Sequence, residues 1–263
     1  MSTIRIIKSM TNRQKSVELF HLLFLRHMNE RLEKGLYAIK GGCNLRFFFK
    51  SIRYSEDLDI DVKTIAKETL RNKIHKILES PNFQQTLSAR GMEIVKCSEA
   101  KQTDTTQRWK LSIKLVDSPL PLPTKIEFSR RSLDDGACRF EPIDPELIHH
   151  HQIYPILANH YTQEAAICQK VDALIHRTEV QARDVFDIQL LLNAGVQFQF
   201  LPNTLREKID IAIENTLSIE FSEFKARVVV YLMDEYQDYY NSPQIWTDIQ
   251  TKVISTLEQA KLP

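Results

Sequence analysis

Between Lys40 and Val62 the chain reads KGGCNLRFFFKSIRYSEDLDIDV, ending in three carboxylates at every second position. Asp57, Asp59 and Asp61 alternate with Leu58, Ile60 and Val62. A period of two is that of a β-strand, so the three acids share one face, roughly 6.5–7 Å apart per step of two. The three apolar residues share the other, buried face. Like charges this close repel, and removing them from water costs several kcal/mol unless a cation compensates. Mg²⁺, or Mn²⁺ in its place, is the natural compensator, because such hard ions take one or two carboxylates and complete their shell with water and phosphate oxygens. Gly41 and Gly42 lie between a short apolar strand, LYAIK, and a stretch with helical character, CNLRFFFKS. A glycine turn at a helix N-terminus presents unobstructed N–H groups to a phosphate. A phosphate cradle beside metal-binding carboxylates is the equipment of phosphoryl transfer, whose transition state is stabilised by positioning and charge neutralisation.

A third acid is available in TKIEFSR, where Glu127 stands between Ile126 and Phe128. On its own it reads as the exposed face of an edge strand. Together with Asp57 and Asp59 it reads as the third carboxylate of a metal site. Farther along, Lys170 and Arg177 are seven residues apart, about two turns of one helix, and therefore on one face. With Arg183 they could meet a triphosphate across a domain cleft, while Asp184 holds Lys170 or Arg177 by an ion pair. The competing reading is a surface helix with ordinary charges, or a salt bridge that only joins two domains.

These residues resemble a known set. KGGCNLRFFF…RYSEDLDIDV is similar to the glycine-rich and D-x-D signature of polymerase-β-like nucleotidyltransferases, and closer still to the AbiEii/AbiGii toxin family of abortive-infection systems. QKVDALIHR followed by ARDVFDIQLL matches that family's later helical motif at Lys170, Ala173, Leu174, Arg177, Arg183, Asp184 and Asp187. The resemblance spans roughly residues 36–194. It implies a Mg²⁺-dependent nucleotidyltransferase that moves NMP from an NTP to an acceptor, with the 3′ end of tRNA the leading acceptor and a cognate antitoxin as partner. It also implies catalytic roles for Asp57, Asp59, Glu127, Lys170 and Asp184, and metal ligation by Asp57, Asp59 and Glu127. Nucleotide or phosphate contacts are implied for Lys40, Gly41, Gly42, Arg46, Ser55, Lys170 and Arg177. Cys43 departs from the pattern, which often has Thr or Ser there. A thiol is a weaker donor, which puts a side-chain phosphate contact in question while leaving the backbone cradle intact. The alternatives are a nucleotidyltransferase acting on a protein or small-molecule hydroxyl, and an inactive protein of the same fold that serves as a binding partner.

Other constellations carry less. DLDIDVKTIAKE partly fits a calcium loop, but Val62 stands where that loop needs glycine. His149–His151 are adjacent and point in different directions in regular structure, so they do not form one ligand set. Arg53 reads either as a phosphate or RNA contact or as support for the carboxylates. Phe47–Phe49 reads as core, and Ser55 as a hydrogen-bonding residue at the start of the acidic strand.

The elements that must position these residues follow from periodicity. NRQKSVELFHLLFLRHMNERLEKG predicts a helix closed by Gly35, and AKETLRNKIHKILES a second. GMEIVKCSEAK, RWKLSIKLVD and TKIEFSRR predict three more strands. After about residue 150 every periodic segment is helical: TQEAAICQKVDALIHR, ARDVFDIQLLLNAG, LPNTLREKIDIAIENTL, FSEFKARVVVYLMDEYQDYY and PQIWTDIQTKVISTLEQAK. The expected architecture is α+β: a nucleotidyltransferase domain with a mixed sheet over 1–150, then an all-α bundle over 151–263. The 263 residues suffice for a sizeable core, and 43% hydrophobic with 26% charged is ordinary globular composition. No apolar run approaches the roughly 20 residues of a membrane span, no secretory leader is evident, and four scattered cysteines fit a reducing compartment, so a cytoplasmic location without membrane contact is expected. The formal charge is only +1, yet residues 1–53 hold 11 Lys/Arg against 3 Asp/Glu, a bias that suits an anionic partner such as a nucleotide or RNA.

Overall fold

The structure is a computed structural model that describes residues 2–261, with the side chains of 2–12, 135 and 200 outside the description. Arg5 and Lys8, two of the cations in the basic N-terminal stretch, are therefore outside it. The chain forms two units, Met1–Lys50 with Tyr54–Tyr161, and Ser51–Arg53 with Thr162–Pro263.

The first unit contains the helices α1 (Ser2–Asn29), α2 (Gly41–Phe48), α3 (Lys67–Leu78), α4 (Pro81–Ser88) and α5 (Pro145–His150). Its strands are β1 (Tyr37–Lys40), β2 (Asp57–Val62), β3 (Met92–Gln102), β4 (Thr106–Leu115), β5 (Leu122–Arg130), β6 (Cys138–Pro142) and β7 (Leu157–Tyr161). They make one mixed sheet in the order β3-β4-β5-β2-β1-β7-β6. β2 runs antiparallel to β1 and parallel to β5. Its alternation therefore serves a central strand, with Leu58, Ile60 and Val62 fully buried.

One face of the sheet carries the core. Trp109, Leu111 and Ile113 of β4, and Ile126 and Phe128 of β5, pack with Phe20, Leu23 and Phe24 of α1, Ile74 of α3 and Phe83 of α4. Trp109 meets Phe128 edge to face at 5.9 Å. α1 stops at Asn29, before Gly35, which lies in a 3-10 turn over Lys34–Leu36. Leu32 N–H still bonds Met28 O, so the helix is closed by its own last turn and not by the glycine. α4, β6 and β7 add to the elements expected from periodicity. β7 continues the sheet to Tyr161, past residue 150. The last two strands are short, and their apolar residues do not form a clean alternation.

The second unit is helical: α6 (Gln163–His176), α7 (Ala182–Asn193), α8 (Asn203–Arg206), α9 (Ile209–Leu217), α10 (Phe221–Arg227), α11 (Asp234–Tyr240) and α12 (Pro243–Gln259). Two stretches that read as single helices are each broken. The break between α10 and α11 holds a 3-10 turn at Val229–Tyr231 and an antiparallel bridge from Leu232 to Arg53. Phe224 stacks on Trp246 at 4.4 Å, and the Trp246 indole N–H donates to Ile219 O, tying α10 to α12. Among the described residues no helix is long and apolar enough to cross a membrane.

Candidate active site

β1 and α2 meet at Gly41, the first residue of α2, whose φ is +66°. Only glycine takes that conformation at no steric cost. A Cβ here would lie 3.3 Å from Asp59 Oδ2, so the helix N-terminus is held against an acidic side chain. Asp59 is paired in register with Lys40 of β1 on one side and with Glu127 of β5 on the other. Asp57, Asp59 and Glu127 therefore share the face opposite the core, as the period of two predicts.

Their partners separate the acids. Asp57 Oδ2 lies 3.0 Å from Lys125 Nζ, and Glu127 Oε2 accepts from Arg108 Nε at 2.5 Å. Asp61 is 1% exposed and saturated: Lys40 Nζ and the Tyr161 hydroxyl (2.9 Å) both donate to it. Burial and the Asp61 carboxylate push the Tyr161 phenol far above its ordinary pKa, so it remains a donor. Asp61 is thus the structural member of the trio, and Lys40, expected at a phosphate, is bound to it. Asp59 differs from both neighbours, having no hydrogen bond or ion pair among the described residues. Burial raises its pKa, as do Asp57 and Glu127, while Lys125 and Lys40 pull it down. The net shift is upward: this carboxylate lacks a cation.

The start of the acidic strand is fixed from beneath. Ser55 Oγ donates to Asp57 O at 2.9 Å, and Cys43 Sγ donates to the same oxygen at 3.2 Å. Cys43 is fully buried and its thiol pKa is raised by burial, so it anchors backbone and does not face the cradle. Thr124 gives its hydroxyl proton to Glu56 O (2.7 Å), so the 2.7 Å contact from His21 Nε2 requires Nε2 to carry a proton. His21 is fully buried, and burial lowers its pKa to about 3.

One expected site residue lies elsewhere. Arg46 is buried, pairs with Glu18 at 2.5 Å and stacks over Tyr54, so it supports the fold beneath α2. Glu18 also accepts from His151 Nε2 at 2.8 Å, which gives one member of the histidine triplet a buried structural partner. Phe48 stacks on His160 at 3.6 Å.

In the second unit, Lys170, Asp184, Asp187 and Arg53 form one buried network, which the exposed Arg177 joins from the surface. Lys170 Nζ lies 2.9 Å from Asp184 Oδ1 and 2.6 Å from Asp187 Oδ2. Arg53 binds Asp187 with Nη2 2.9 Å from Oδ2. Burial raises the Asp187 pKa, but Arg53 and Lys170 outweigh it and hold the carboxyl below its ordinary value. Arg177 caps the C-terminus of α6 and its Nε lies 3.0 Å from Asp184 Oδ2. The N–H is not aimed at that oxygen, which stays buried without a hydrogen bond. Asp184 thus holds both cations expected of it, and Asp187, given no role from sequence, holds Lys170 as well.

Among the described residues no three His, Cys, Asp or Glu side chains converge on a point that could hold a metal. Asp57, Asp59 and Glu127 offer only carboxylate oxygens, the donors a hard divalent ion takes, and Lys125 and Arg108 pair with two of the three. Neither cation was picked out by sequence reading. The available signal was position: Lys125 precedes Glu127 by two, and so shares its face.

A family profile described as "Nucleotidyl transferase AbiEii toxin, Type IV TA system" matches residues 23–238. No functionally curated sequence matches the chain. Among solved structures, JHP933 from Helicobacter pylori is similar, with a TM-score of 0.58 at 17% identity over 95% of this chain and 94% of its own. MenT4, a nucleotidyltransferase toxin from Mycobacterium tuberculosis, has a TM-score of 0.56 at 15% identity over 94% and 91%. At such identities the likeness speaks for fold, while the profile covers most of the chain and includes both acidic strands and the helical motif. The protein belongs to the AbiEii nucleotidyltransferase toxin family of type IV toxin–antitoxin systems.

Proposed function

We propose that this nucleotidyltransferase transfers NMP from an NTP to the 3′ hydroxyl of a tRNA, using Asp57, Asp59 and Glu127. One observation carries the reading: Asp59 has no partner among the described residues, faces Glu127 in register and abuts the N-terminus of α2. Asp57, Asp59 and Glu127 would hold Mg²⁺ or Mn²⁺, with Lys125 and Arg108 giving way. The ion, when bound, would neutralise charge on the transferring phosphoryl group. The backbone N–H groups at Gly41 and Gly42 receive phosphate oxygens. The acceptor oxygen forms its bond to the α-phosphorus as the bond to pyrophosphate breaks. Glu127 takes the proton of the acceptor hydroxyl. Lys170 and Arg177, both held by Asp184, are the second unit's candidates for contact with an NTP. Arg177, whose side chain is 37% exposed, is the more accessible of the two. A cytoplasmic location and a cognate antitoxin accord with this role.

The test is transfer of label from each α-³²P NTP to total tRNA, with and without Mg²⁺. Asp59→Asn should abolish transfer and keep the melting temperature. Near wild-type turnover in that variant would overturn the assignment. Label appearing in protein and not in RNA would replace the acceptor.

A further inference from the structure

The open face of the sheet continues beyond the carboxylates. From the core side, Ile94 of β3 faces Ile113 of β4. Strict alternation would turn Lys96 toward the core as well. Instead the register shifts between Ile94 and Lys96, and Lys96 pairs with Ser112 while Ser98 pairs with Lys110. A β-bulge at Val95 therefore returns Lys96 and Ser98 to the open face, the usual use of a bulge that re-aims side chains. A second shift, between Glu99 and Lys101, places Lys101 opposite Arg108 on that face.

The result is a run of cations on adjacent strands. Lys110 stands directly opposite Lys125 on β5. Like charges in that position destabilise a sheet. Lys125 is compensated by Asp57, whereas Lys96 and Lys110 are exposed and make no ion pair among the described residues. The lysines line a groove of about 410 Å³ together with Ser98, Ser112, Glu56 and Asp57. Along the sheet order the Gly41 turn at β1, the acids on β2 and β5, and the lysines on β4 and β3 follow in sequence. An in-line displacement brings donor and acceptor to the metal from opposite sides. The groove lies on the side away from the phosphate cradle, which is the acceptor's side.

We infer that this groove binds the sugar-phosphate backbone of a single-stranded RNA end, with Lys96 and Lys110 on its phosphates and the terminal hydroxyl delivered toward Asp57. The inference rests on reading the acidic face as a nucleotidyl-transfer site, but binding can be measured without transfer. The probe is a short fluorescein-labelled single-stranded RNA of mixed sequence, titrated by anisotropy against the full chain at several salt concentrations. The variant is Lys96→Gln with Lys110→Gln, both exposed, with melting temperature as the folding control. The expected result is about tenfold weaker RNA binding and a salt dependence less steep by about 1.4 in log–log slope, since each single-strand phosphate contact contributes about 0.7. The KM for NTP should not change. Unaltered RNA affinity and slope in a folded variant would overturn the inference. So would a rise in NTP KM with RNA binding intact, which would assign the groove to the triphosphate. Lysine-dependent RNA binding that persists in Asp59→Asn supports the groove even if the wild type labels no RNA, an outcome that would remove only the transfer reading.

Discussion

At the scale of single residues, the acidic strand shows how three chemically identical side chains acquire different work. Asp61 is saturated by Lys40 and Tyr161, Asp57 is held by Lys125, and Asp59 is left uncompensated against Gly41. The glycine sets that last distance. Gly41→Ala forces a Cβ into the left-handed region, at about 1–3 kcal/mol, and crowds Asp59 Oδ2 at 3.3 Å. Turnover should fall by about tenfold or more, because small displacements of reacting groups are costly. Steady-state labelling alongside thermal melting checks this, and unchanged turnover would free the turn from any part in the site. Gly41 and the alternating acids were legible in the sequence because a turn glycine and a period of two are local signals. Arg46, Arg53 and Cys43 were not, since their partners Glu18, Asp187 and the Asp57 carbonyl are fixed only by packing.

At the scale of elements, β2 and β5 are registered from beneath by His21 of α1, through Thr124 to Glu56 O. His21 is neutral when folded, with a pKa lowered to about 3 from 6.5. The unfolded chain therefore binds a proton that the folded chain refuses, and stability falls as pH drops from about 6.5 toward 3. Over the first unit below 6.5 this amounts to about 1 kcal/mol, in a range where ordinary carboxylates are still ionised. His21→Gln keeps a donor for Thr124 and removes the titration. Its melting temperature should fall less between pH 6.5 and 5.5 than that of the wild type. Equal falls would show that other histidines carry the dependence. β3 teaches a related lesson: its two bulges decide which lysines share the acids' face. Periodicity predicts the strand but cannot place an extra residue that only the partner strand reveals.

At the scale of the whole molecule, the acids belong to the first unit and the Lys170–Asp184–Asp187–Arg53 network to the second. Lys170→Ala and Asp184→Ala should each raise the NTP requirement strongly, with the double variant little worse than the worse single, because Asp184 acts by holding Lys170. Additive losses with unaltered NTP affinity would make the network purely structural. In cells, as befits a toxin family, induced expression of the wild type should arrest growth and Asp59→Asn should not. Arrest by both would locate the toxicity outside the acidic site.

The sequence by itself determined the class of chemistry and the elements that carry it. A strand's period of two fixes which side chains share a face, and glycine alone tolerates the turn before α2, so both features are written into short stretches of chain. The family's helical motif was readable for the same reason, as a pattern of spacings along α6 and α7. Only the tertiary structure decided which of those groups are free. That depends on contacts between residues distant in the chain: Asp61 with Tyr161, Asp57 with Lys125, Glu127 with Arg108, Asp187 with Arg53. An ion pair forms where two backbones bring opposite charges together. No local pattern specifies that meeting, so the identity of the uncompensated carboxylate, Asp59, emerged only once the strands were paired.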